Sequence, residues 1–75
     1  MNTDHLIKMA NEIAAFFATE SGPEVASRDV AAHLKKFWEV RMRREILAHY
    51  RQGGAGLSEI ARGAVELLGK EENSS

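Results

Sequence analysis

The sequence has no cysteine and one proline in 75 residues. Lacking thiols, this chain can form no disulfide, thiolate zinc site or iron–sulfur ligation, and it has no cysteine nucleophile. Long hydrophobic runs are missing as well. The longest unbroken one, Ile13 to Ala18, is six residues, where a membrane span needs about 20. No segment alternates apolar and polar residues while being rich in β-branched side chains, so strands are not expected. The opening Met1 to His5 lacks the basic leader of a signal peptide, and the apolar stretch after it carries Lys8 and Glu12. The expectation is a cytoplasmic chain with no membrane segment. A net charge of −1 provides no global field that would point to a polyanionic partner.

What is present is ordinary for a globular chain: 44% hydrophobic and 28% charged residues, against a disordered composition. The length allows one small domain. A core of this size rarely supplies more than about 3–5 kcal/mol without staples, so association with another chain is the expected supplement.

Helical spacing appears four times. Leu6, Ala10, Ile13, Ala14 and Phe17 form a first stripe, widened by Ile7, Met9 and Phe16 until the helix needs more than one neighbour. Thr3 is its expected cap and Asp4 suits its N-terminal dipole. Gly22-Pro23 marks a break, with Ser21 and Glu24 at capping-box spacing. A second stripe follows at Ala26, Val30, Leu34, Phe37 and Trp38. Met42, Ile46, Leu47 and Tyr50 keep the period but lie about half a turn away, at about 100° per residue. That phase change predicts a bend at Trp38-Glu39-Val40. Gly53, Gly54 and Gly56 stop the third helix in a flexible turn. Ser58 caps a fourth, with Leu57, Ile60, Ala61, Ala64, Val65 and Leu68 as its stripe and Gly69 as its stop. The reading is an all-α bundle of about four helices, approximately 3–20, 23–38, 40–52 and 58–69, in a single domain spanning 1–70. Residues 71–75 read as a disordered tail.

Few residues suggest chemistry. His5, His33 and His49 form neither an i,i+4 pair nor a His-Glu-x-x-His arrangement, so they read as partly exposed helix residues. Ser21 and Ser58 sit at helix caps, and Ser27 has no evident base. Gly53-Gly54-Ala55-Gly56 precedes a helix, but no strand leads into it, the phosphate-loop lysine is absent, and Glu59 would face the anion. The expected catalytic, cofactor-binding and metal residues are none.

Charge is the local anomaly. Residues 35–51 carry Lys35, Lys36, Arg41, Arg43, Arg44 and Arg51 against Glu39 and Glu45, a net of +4, while the rest of the chain carries −5. Three readings fit: a contact surface for an acidic patch on a partner, a solvated face with links such as Arg41–Glu45, or a small DNA reader.

Four stretches together carry a resemblance: Leu6-Ile7-Lys8-Met9-Ala10-Asn11-Glu12-Ile13, the run from His33 to Arg44 with its Phe37-Trp38-Glu39-Val40-Arg41-Met42-Arg43 block, Leu47-Ala48-His49, and Gly53-Gly54-Ala55-Gly56-Leu57. In order and spacing, over residues 6–68, the chain resembles the delta subunit of soluble NAD-dependent, molybdenum-containing formate dehydrogenases. It departs from that pattern at Val40 and at Glu59, where the family tends to carry proline. A proline at the first position would enforce the bend, and Val40 does not.

The resemblance implies a non-catalytic accessory subunit supporting assembly or stability. It implies molybdenum–pterin, iron–sulfur clusters, flavin and NAD on the other subunits and none on this chain. The expected partners are the larger formate dehydrogenase subunits, chiefly the molybdenum-bearing one, with a homo-oligomer when the chain is isolated. The expected contact residues are Phe16, Phe37, Trp38, Arg41, Met42, Arg43 and Arg44, with Trp38, Arg41 and Arg43 as anchors. The alternative is a helix-turn-helix-like nucleic-acid binder using Lys35 to Arg51.

Overall fold

Four helices follow one another: α1 (Thr3–Glu20), α2 (Pro23–Phe37), α3 (Val40–Arg51) and α4 (Glu59–Ser74). The structure is a computed structural model and describes residues 2–74, with side chains through residue 71. At about 1.5 Å per residue the eighteen residues of α1 span roughly 27 Å, which matches the longest dimension of the molecule, 28 Å. One helix length thus sets the size of the domain. α2 packs most extensively on α4, and α1 lies against all three of the others, as its wide apolar stripe requires.

The core is one cluster. Leu6, Val30, Leu34, Ile46, Val65 and Leu68 are its largest fully buried members, interleaved with Ala10, Ala14, Ala31, Ala61 and Ala64. Alanines at these positions let helix axes approach closely. Gly63 takes this further: a Cβ there would stand 2.7 Å from Ser27 Oγ, whose hydroxyl donates to the Ile60 carbonyl at 2.8 Å. Gly69 plays the same part against Leu47 Cδ2, which a Cβ would meet at 3.0 Å.

Gly69 therefore does not stop α4, which runs through it to Ser74. A glycine inside a helix marks close packing here, not an end. The segment expected as a tail keeps helical backbone as far as Ser74, and Ser75 lies outside the described residues.

Two expected caps are also corrected. Asn2, not Thr3, caps α1 by accepting from the Asp4 N–H; the Thr3 hydroxyl donates instead to Glu45 Oε2 on α3 at 2.6 Å. Gly22, at φ 86°, precedes α2 with no side-chain cap, and Ser21 ends α1 through its N–H to the Phe17 carbonyl. The Ser58 cap is observed, its hydroxyl accepting from the Ala61 N–H at 3.2 Å.

The bend forms without proline. Trp38 and Glu39 adopt extended backbone, with ψ 141° and 156°, and α2 and α3 are separate helices.

Candidate partner interface

The corner between α2 and α3 is built inward. Trp38 is only 5% exposed and belongs to the core cluster. The expectation that it serves as an outward anchor is corrected: Trp38 leaves helical backbone, with φ −82° and ψ 141°, and its side chain is buried with the core. Arg43 is also turned inward. Its Nη1 donates to the Trp38 carbonyl at 2.6 Å and to the Lys35 carbonyl at 3.1 Å, supplying donors to the last turn of α2 where the helix has none. Met42 is half-buried against the core.

The remaining expected contact residues point out. Phe37 is 63% exposed and Phe16 is 59% exposed, and they are linked across two helices. Phe16 meets Phe17 edge-on at 5.1 Å between centroids, Phe17 meets His33 at 5.9 Å, and His33 meets Phe37 at 4.7 Å. Lys36 Nζ stands 5.6 Å from the Phe37 centroid, within cation–π reach. Sequence reading named the ends of this aromatic strip but not its continuity through Phe17 and His33. Arg41 and Arg44 are exposed and, among the described residues, have no hydrogen-bond or ion-pair partner. The Arg41–Glu45 link gives way to Thr3–Glu45.

The glycine-rich loop, expected to be flexible, is clamped from three sides. Asn11 donates to the Gly56 carbonyl and accepts from the Ser58 N–H, both at 2.8 Å. Arg62 donates to the Gly53 and Gly54 carbonyls at 2.9 and 3.0 Å, and His49 Nε2 lies 2.7 Å from the Ala55 carbonyl oxygen. The loop's carbonyls are engaged with the protein itself, and Gly53 and Gly54 hold positive φ of 118° and 64°. The signal for Asn11 was available: an amide inside a helix competes with the backbone unless it bonds elsewhere.

Tyr50 donates to Glu66 Oε1 at 3.0 Å. That bond to a carboxylate, followed by partial burial and the charge of Glu66, raises the phenol pKa, with Arg62 opposing. Among the described residues no group of three or more His, Asp or Glu is arranged to hold a metal ion, and no helix is long and apolar enough to cross a membrane. A chain without cysteine does not fit an iron–sulfur cluster.

Fold and site define a small all-α domain that spends its polar side chains on its own loops and leaves an aromatic face open. The sequence model of the NADH-dependant formate dehydrogenase delta subunit family, FdsD, matches residues 5–65; the chain belongs to that family. A delta subunit is one chain of a larger complex, so partner subunits are implied. Neither a curated protein nor a solved structure matches the chain.

Proposed function

We propose that this delta subunit is a non-catalytic accessory chain that supports assembly or stability of the molybdenum-bearing subunit of a cytoplasmic formate dehydrogenase. The redox centres, molybdenum–pterin, iron–sulfur clusters, flavin and the NAD site, then belong to the other subunits. The observation that carries the reading is the strip Phe16–Phe17–His33–Phe37: two phenylalanines more than half exposed on one continuous face of a chain that belongs to a subunit family. Exposed contiguous aromatic surface on a small domain marks a contact site. Arg41 and Arg44, exposed on α3, serve as polar contacts, and the half-buried Met42 as a minor one. Trp38 and Arg43 hold the corner in shape. In isolation the same face pairs two copies of the chain around a two-fold axis.

The test is co-expression of the larger subunits with the wild-type chain, with a Phe16→Ser, Phe37→Ser variant, and without the chain. The variant is expected to fold, to lose co-purification and to lower formate-dependent NAD reduction and molybdenum content to the level seen without the chain. Unchanged co-purification and activity would remove this face from the interface.

A further inference from the structure

We propose that the outward face of α3 is an arginine stripe that binds an acidic segment of the partner subunit. The proposal rests on the reading of this chain as a docking subunit and names the chemistry of what it meets. Arg41, Arg44, Ala48 and Arg51 follow one another at steps of three, four and three residues, and all four are exposed. These steps keep a single helix face. The three guanidinium groups are spread along about 15 Å of helix axis. One acid, Glu45, lies at the edge of the stripe, beside Arg41. It is bound to Thr3.

Two comparisons within the molecule set these arginines apart from those that hold its loops and corner. Arg43 and Arg62 engage backbone carbonyls, whereas Arg41, Arg44 and Arg51 have no partner among the described residues. Arg41 and Arg44 also lie in the opening turns of α3, whose first turn has no acidic residue. The positive end of the helix dipole disfavours cations there. Arg41 and Arg44 thus work against the start of the helix, whereas Arg51 stands in its last turn, where a cation is favoured. The like charges repel one another along the stripe, and carboxylates from outside relieve both strains.

The occupant is an acidic protein segment, not nucleic acid. Outside residues 35–51 the chain carries −5, which would repel a phosphate backbone extending beyond the stripe. Phe37 ends α2 and Val40 begins α3, and both are exposed, so the chain offers apolar anchors just ahead of the guanidinium forks, a mixture that suits protein interfaces.

The experiment measures binding of the full chain to the purified larger subunits across a salt series. It compares wild type, the stripe variant Arg41→Ala, Arg44→Ala, Arg51→Ala, and a control, Lys8→Ala, Arg28→Ala, Lys70→Ala, that removes equal charge from elsewhere. A 30-base-pair DNA duplex is the second probe. All variants are expected to fold, because alanine suits an exposed helix position. The stripe variant is expected to bind the subunits on the order of tenfold more weakly and to lose most of the salt dependence, while the control binds as wild type does. Equal binding by the stripe variant, or an equal loss in the control, would overturn the proposal while leaving the docking reading intact. Tight, steeply salt-dependent binding of the duplex that the stripe variant loses would overturn it in favour of nucleic acid. No binding of the subunits by any form, wild type included, would overturn the docking reading and this proposal with it.

Discussion

Trp38 shows at the level of one residue how neighbours in sequence divide between core and surface. Trp38 is buried and Phe37, beside it, is exposed. Trp38→Ala is therefore expected to cost about 3–5 kcal/mol, which consumes most of the stability of a domain this small, whereas Phe37→Ala stays within about 0.5 kcal/mol. Urea titrations of the two variants check this. The fluorescence of Trp38, the sole tryptophan, should resist acrylamide quenching until the chain unfolds. Tyr50, the sole tyrosine, offers a second test. Its bond to the Glu66 carboxylate raises its pKa above the ordinary value of about 10. A raised pKa means the proton is held more tightly in the folded state, so the contribution is fully present below about pH 10 and is lost as pH climbs through the folded value. Ultraviolet titration should find the phenol midpoint above that of the unfolded chain, and Glu66→Gln should bring it back down.

Helix packing makes its own predictions. Gly63→Ala would gain about 1 kcal/mol in helix propensity, yet the added methyl collides with Ser27 Oγ at 2.7 Å. Overpacking of this kind costs about 1–3 kcal/mol, so the net change is expected to be destabilising. A double-mutant cycle with Ser27→Ala, which opens the space, should recover part of the loss; strict additivity would show that the two helices do not meet there. At the α2–α3 corner, Arg43→Met is expected to lower stability by about 1–2 kcal/mol, as two bonds from a charged donor to carbonyls are lost at a partly exposed site. Arg41→Met, two residues earlier, should be near neutral. Comparing the two melting curves separates the arginine that holds the corner from the one that faces outward.

The whole molecule is a helical domain with segregated surfaces. Four helices account for most of the described residues, so its circular dichroism should be a helical spectrum with no sheet component. The aromatic strip on α1 and α2 and the arginines on α3 border the same corner, at which Phe37 and Val40 are exposed. An isolated chain with that surface uncovered should sediment as a dimer at tens of micromolar concentration, and Phe16→Ser, Phe37→Ser should return it to monomer. A wild-type monomer under those conditions would mean that the strip alone buries too little area to pair two copies.

Periodicity carried the helices, because an apolar stripe at three- and four-residue steps is the local condition for a helix to have something to bury. The four helices and the bend at Trp38-Glu39-Val40 were legible for that reason, and the break at Gly22-Pro23 was legible from its turn dipeptide. The phase change alone was enough to locate the bend, although Val40 stands where the resemblance expects proline. The inward or outward fate of single residues was not legible, because it depends on neighbours distant in the chain. Trp38 and Arg43 lie within the same run as Phe37 and Arg41, and only the turn of the backbone at Trp38 sends the first two beneath the corner and the others out. Gly69 has the sequence position of a helix stop, and only Leu47, packed over it, makes it a close-contact residue inside α4. The glycine-rich loop looked free until Asn11, His49 and Arg62 closed on it. Local sequence determined which segments are helical; tertiary packing decided which side chains were left for a partner, because burial is a property of the surfaces that meet and not of the residues taken one by one.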